Sequence, residues 1–173
     1  MHLSLSRLAI RSWRADDAPA LATHANNHAI WRNLRDRFPH PYAIADADAF
    51  IAKCLSRDTP TNYAITLEGG AIGSIGIIQG EDIYRRSAEF GYWLGEPFWG
   101  RGLATEAIGG FSEWAFEVFD LVRLYAMVFT WNPGSARALE KCGFAREALC
   151  RSAAIKEGQV VDEWLYAKVR MRA

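Results

Sequence analysis

Residues 99–107, Trp-Gly-Arg-Gly-Leu-Ala-Thr-Glu-Ala, put two glycines at the start of a helical pattern. Glycines there let the backbone approach a ligand closely, and the first-turn N–H groups, which have no partner inside the helix, point at the same place. With the positive end of the helix dipole, the segment can cradle a pyrophosphate. The implied chemistry is binding of a nucleotide-type anion. Two common cradles do not fit. The dinucleotide fingerprint needs a third glycine where Thr105 stands and a parallel sheet ahead of it, and the preceding strands read as antiparallel. The phosphate loop of NTPases needs a Gly-Lys-Ser/Thr, which does not follow. The alternative is a glycine-rich helix entry that holds no ligand. Metal chemistry has little support: His24 and His28 lie four apart without an HExxH pattern, and Cys54, Cys142 and Cys150 have no paired spacing.

The elements that must position this segment follow from period and punctuation. Residues 3–12 alternate apolar and polar as one strand. Asp16-Asp17 offers a cap to a short helix beginning at Ala18, with Pro19 allowed in its first turn. A second short helix runs through residues 30–34 and is broken by Phe38-Pro39-His40-Pro41-Tyr42. Asp46 caps a helix carrying Ala47, Phe50, Ile51 and Leu55 at helical spacing. Residues 62–67 and 71–78 read as a β-hairpin around Glu68-Gly69-Gly70, with 87–94 as a third strand. The helix from Gly102 to Val118 carries Leu103, Ala107, Phe111, Trp114 and Ala115 on one stripe. Residues 122–129 form a continuous apolar strand of the kind that is buried. Pro133 opens a helix that ends at Gly143, and strands at 144–150 and 160–169 close the chain around residues 156–158. The outcome is a single α+β domain over residues 1–173, with a mostly antiparallel sheet and helices against it.

Composition agrees with this frame. The chain has 173 residues, half of them hydrophobic and 13% aromatic, enough for a full core at a size where folding buries about 70% of the unfolded surface. No apolar run approaches the roughly 18 residues of a membrane span. Twenty basic residues balance twenty acidic ones, so there is no general pull towards nucleic acid or anionic lipid. The first eleven residues alternate as a strand and lack a basic-then-apolar signal, which leads us to expect a cytoplasmic protein.

Residues 88–94, Ala-Glu-Phe-Gly-Tyr-Trp-Leu, followed by 99–107, resemble the acetyl-CoA site of the GNAT N-acetyltransferase superfamily. Asn132-Pro133-Gly134-Ser135 followed by 139–144, Leu-Glu-Lys-Cys-Gly-Phe, is similar to that superfamily's second landmark. Residues 8–13, 38–42 and 162–166 resemble the Rim-type branch, whose members acetylate N-termini of ribosomal proteins. The resemblance implies an α+β fold with about seven strands splayed at the cofactor cleft and about four helices. It implies acetyl-CoA as co-substrate and no metal. Backbone donors of Gly100, Arg101, Gly102, Leu103, Ala104 and Thr105 would hold the pyrophosphate. Trp99 stands where the family has Gln or Arg, but only its side chain differs. Tyr92, Trp93 and Leu94 would offer backbone groups to the pantetheine amides, and Asn132 would reach the cofactor through its amide.

Amine acetylation by a thioester needs a neutral amine, a polarised carbonyl and a proton for the departing thiolate. The resemblance makes Glu89 the base, directly or through a water; the other reading is a surface carboxylate beside Arg85 or Arg86. Many relatives carry a Tyr as acid one turn before the Gly-Phe pair, where this chain has Leu139. The resemblance offers Ser135 as the acid instead, because Rim-type relatives use a serine at the matching place near the CoA sulfur; the alternative is a helix-start serine that satisfies a backbone donor. Cys142 is expected to be a buried helix cysteine, with direct transfer to the acceptor. The acceptor side should be built from Trp31, Arg35, Phe38, His40 and Tyr42. The glutamate that some Rim-type enzymes carry between their last two strands is missing from residues 152–155. The expected activity is acetylation of a protein N-terminus by a monomer or homodimer. A small-molecule amine as acceptor, or a catalytically silent acyl-CoA-binding domain, are the alternatives.

Overall fold

The turn at Glu68-Gly69 sets the first register. In the computed structural model, which describes residues 1–170, Asn62–Leu67 (β3) and Gly70–Gln79 (β4) pair antiparallel with Leu67 opposite Gly70. Glu68 and Gly69 both take positive φ, 51° and 86°, the left-handed pair a tight hairpin needs to match strand twist. The chain divides into two compact units, Met1–Gly76 with Tyr92–Ala107, and Ile77–Gly91 with the residues from Ile108 onward.

In the first unit, His2–Ser4 (β1) and Ala9–Arg11 (β2) precede β3 and the start of β4, all antiparallel. The single strand expected over 3–12 is thus two short ones, because Leu5 N–H bonds the Leu8 carbonyl at 2.9 Å and turns the chain. This makes eight strands rather than about seven. The end of Ser87–Leu94 (β5) lies beside β4, where Gly95 N–H donates to Ile72 O at 2.8 Å. A Cβ on Gly73 would lie 2.2 Å from the Trp93 carbonyl, so this crossing needs a glycine.

Three helices complete the unit: Ala18–Ala25 (α1), His28–Trp31 (α2) and Ile44–Leu55 (α3). Asp17 does not cap α1 through its side chain. Its carboxylate is buried and takes both Nη atoms of Arg11 at 2.7 Å. Asn27 caps α2, accepting from the N–H groups of Ala29 and Ile30, so the helix begins two residues before residue 30. Asp46 sits inside α3 and accepts the Ala43 N–H at 2.8 Å, the reciprocal half of a capping box. Trp13, Leu21, Tyr42, Ile51 and Ala64 are among the buried residues of the core.

In the second unit, β4 and β5 meet through Gly80 N–H and Ser87 O at 2.8 Å. Strand β5 pairs parallel with Arg123–Phe129 (β6) over three residue pairs, Ser87–Arg123 to Glu89–Tyr125. A parallel neighbour requires a crossover, which Leu103–Val118 (α4) supplies. Strand β6 then pairs antiparallel with Gln159–Val169 (β8), and β8 with the twelve-residue edge strand Ala145–Lys156 (β7). The eight strands run β1-β2-β3-β4-β5-β6-β8-β7. Strand β6 is not buried throughout. Leu124, Ala126 and Val128 are buried, while Arg123, Tyr125, Met127 and Phe129 are half-buried. Phe90 joins the buried side and packs on Phe111 of α4 and on Phe144, at centroid distances of 6.0 and 5.5 Å. Pro133–Lys141 (α5) is the fifth helix, where about four were expected. Among the described residues no helix is long and apolar enough to cross a membrane.

Candidate active site

The glycine segment folds as its residues require. After β5 the chain makes a short 3-10 turn, Glu96–Phe98, and Trp99 N–H closes it on Glu96 O at 3.0 Å. The Trp99 indole N–H donates to the Leu94 carbonyl at 2.8 Å, so this residue braces the loop against β5. Gly100 and Gly102 have φ of 72° and 76°, the left-handed region that side chains disfavour. Both are exposed. A Cβ on Gly100 would meet nothing within 4 Å, and one on Gly102 only Arg7 Nη2, at 3.4 Å. Leu103 is buried and anchors the start of α4. Glu106 N–H donates to Gly102 O at 3.1 Å, and the amides of Leu103, Ala104 and Thr105 come before that bond. Arg101 is exposed, with its guanidinium 5.9 Å from the Phe98 ring centre. The result is an exposed, glycine-floored helix start, geometry that suits a pyrophosphate.

The same unit holds the residues expected on the acceptor side. Trp31 and His40 stack at 5.4 Å with an interplanar angle of 25°, and His28 joins them at 5.5 and 5.7 Å. Phe38 links Tyr42, at 4.8 Å, to Trp93, at 5.8 Å. Arg35 and His40 are exposed. Tyr42 is a core residue, 6% exposed, and burial pushes its phenol up to about 12. Tyr92 and Trp93 are half-buried, whereas Leu94 is buried.

Glu89, Asn132 and Ser135 lie in the second unit. Side chains alternate along a strand, so half-buried Glu89 shares a face with its register partner Tyr125, opposite the face of Ala88, Phe90 and Leu124. Asn132 is the N-cap of α5, its Oδ1 accepting the Ser135 N–H at 3.1 Å. Asn132 thus caps this helix, and its Nδ2 makes no hydrogen bond among the described residues. Leu139 is fully buried, and Cys142 is half-buried with its thiol pushed up by burial. Sequence reasoning passed over two residues: Tyr125 beside Glu89, and Arg7, which bonds Glu106 and the Arg101 carbonyl. A register partner on a strand 36 residues away leaves no local signal.

Residues 7–145 match the acetyltransferase (GNAT) domain family. The chain belongs to the GNAT acetyltransferases. It is 36% identical over 101 residues to the uncharacterized N-acetyltransferase YoaA of Bacillus subtilis, a stretch covering 58% of this chain and 56% of YoaA. The chain thus spans about half the length of that relative. Its fold is that of RimL, a ribosomal L7/L12 α-N-protein acetyltransferase solved in complex with coenzyme A, with a TM-score of 0.86, 20% identity and 98% of each chain covered. Spermidine N-acetyltransferase from Vibrio cholerae, solved with CoA and spermine, superposes with a TM-score of 0.79 at 21% identity, covering 94% of this chain and 95% of that one. Among the described residues of this GNAT domain, no group of three His, Cys, Asp or Glu side chains is placed to hold a metal ion.

Proposed function

We propose that residues 1–173 act as one domain that transfers an acetyl group from acetyl-CoA directly to the α-amine of a protein or peptide N-terminus. The observation that carries this reading is the open helix start at Gly100–Thr105, with left-handed glycines at both 100 and 102. Its amides bind the pyrophosphate, backbone groups of Tyr92 and Trp93 hold the pantetheine arm, and Asn132 Nδ2 donates to the cofactor. Glu89 takes a proton from the acceptor ammonium, directly or through a water. The freed nitrogen attacks the thioester carbonyl, the C–S bond breaks, the Ser135 hydroxyl protonates the departing thiolate, and the serine oxygen regains a proton as the new amide nitrogen loses its second one. An α-amine titrates near 7.7–8.0 against about 10.4 for lysine, so it asks less of a carboxylate base.

Likeness to a spermidine acetyltransferase keeps a small-molecule amine as the second reading. A thiol-release assay with acetyl-CoA against N-terminal peptides, amino acids and polyamines separates the two. Peptides should have the highest kcat/KM. A polyamine turned over faster would move the acceptor class. Binding of acetyl-CoA without turnover of any amine would make the chain a silent acyl-CoA-binding domain.

A further inference from the structure

Arg7 lies in the turn between β1 and β2, far in sequence from the glycine segment, and three of its groups are committed to that segment. Its backbone N–H donates to Glu106 Oε1, its Nε to Glu106 Oε2 and its Nη1 to the Arg101 carbonyl, each at 2.7 Å. Burial alone would raise the Glu106 carboxyl, but the bonds from Arg7 outweigh it and hold the group below the ordinary carboxylate range. The bond to Arg101 has a directional consequence. In a trans peptide the C=O and the following N–H point in opposite directions, so a carbonyl turned to Arg7 turns the Gly102 N–H away from it. Gly102, at φ of 76°, has no side chain of its own to fix the plane of the Arg101–Gly102 peptide. Glu106 would by itself add negative charge to the first turn of a helix that must accept a pyrophosphate, and the guanidinium offsets that charge.

We infer that Arg7 is a positioning residue of the cofactor site: it aims the Gly102 amide at the pyrophosphate and neutralises Glu106 beside it. The inference rests on the acetyl-CoA reading and extends it to a residue that sequence patterns leave outside the motif. Arg7 is half-exposed and touches no reacting atom, so its effect falls on affinity rather than on the chemical step.

The test compares acetyl-CoA with S-acetylpantetheine, which lacks the pyrophosphate, by calorimetry on wild type, Arg7→Ala and Arg7→Lys. Arg7→Ala should weaken acetyl-CoA by about tenfold or more, the scale of one charged hydrogen bond, and leave S-acetylpantetheine unchanged. In steady state, KM for acetyl-CoA should rise with kcat held. Arg7→Lys keeps the charge but loses the planar fork, and it should remain weakened even if its melting temperature is restored. Equal weakening of both ligands would make Arg7 a general structural residue and overturn the inference. So would unchanged acetyl-CoA affinity in Arg7→Ala, or wild-type affinity in Arg7→Lys. Failure of the wild type to bind acetyl-CoA is a distinct result that overturns the function reading itself.

Discussion

Gly102→Asp places a carboxylate at the mouth of the cradle, and the structure fixes what else it does. At φ of 76° a side chain is strained, by about 1–2 kcal/mol, although Asp is among the residues that tolerate this region. The nearest atom to the new Cβ is Arg7 Nη2 at 3.4 Å, so the substitution meets ordinary contact and the fold should survive. For a domain of this size the strain should lower the ligand-free melting temperature by about 2–8 °C. A unit charge about 4 Å from a phosphate oxygen, near the surface, costs about 4 kcal/mol, or roughly a thousandfold in affinity. At acetyl-CoA concentrations of 100 times the wild-type Kd, the wild type should gain about 2.7 kcal/mol, a rise of about 5–11 °C. The variant should gain less than about 0.1 kcal/mol. If Arg7 neutralises half of the repulsion, the gain stays below about 1 kcal/mol. Differential scanning fluorimetry reads each protein against its own ligand-free baseline, with Gly102→Ala as control for strain without charge. Equal ligand-induced shifts in wild type and Gly102→Asp would refute the placement of the pyrophosphate.

Glu89→Gln should retain acetyl-CoA affinity and lower kcat by roughly 10²–10⁴, with a smaller loss at high pH where the amine deprotonates unaided; a wild-type pH–rate profile would return Glu89 to structure. Ser135→Ala should lower kcat by about 10–100-fold with little change in the cofactor's Kd, because a thiolate is a fair leaving group and one neutral hydrogen bond contributes only about 0.5–1.5 kcal/mol. A raised Kd at constant kcat would make Ser135 a binding residue. Asp17→Asn leaves the Arg11 guanidinium, 8% exposed as a side chain, buried without its counter-charge. It should cost about 3–5 kcal/mol, or about 6–20 °C in thermal melting. Burial raises the Asp17 carboxyl, but hydrogen bonds from Arg11 and Arg14 prevail and its pKa is lowered. That folded value lies below the unfolded one, so the pair stabilises above roughly pH 4 and this stability is lost as pH falls further. The Asn variant should therefore show a flatter acid limb in melting temperature against pH, and an unchanged limb would place the acid sensitivity elsewhere.

What was legible in the sequence was local. Gly100 and Gly102 flag a left-handed helix entry by residue type alone, Pro133 and Gly143 bracket α5, and Glu68-Gly69 marks a hairpin. Contacts distant along the chain were invisible. Asp17 has a cap's identity and position, but Arg11 takes its carboxylate. Residues 5–8, Leu-Ser-Arg-Leu, have no Gly, Pro, Asn or Asp to betray the break between β1 and β2; the pairing of Arg7 with Glu106, 99 residues on, goes with it. The apolar run at 122–129 hides an alternation because Tyr, Met and Phe serve a half-exposed face as well as a core. Tyr42 suits a substrate flap by type, and only packing assigns it to the core.

The edge strand β7 is twelve residues long and pairs with β8 on one side, yet it cannot serve as a straight template. Between Cys150 and Ala154 it advances four residues while β8 advances two. Ser152 takes φ of 51° there, and its N–H is turned inward to Asp162 Oδ1 at 2.8 Å. A second irregularity at Arg146–Ala148 frees Glu147 to reach Arg123 at 2.9 Å. An exposed row of unpaired amides invites another chain to add a strand, and kinks of this kind deny it a matching register. Leu149 and Ile155 are exposed along the same strand, so those two interruptions stand where edge pairing would otherwise add apolar contact. Deleting Ser152 and Ala153 would remove the larger interruption and leave only the one at Arg146–Ala148 to keep another chain out of register.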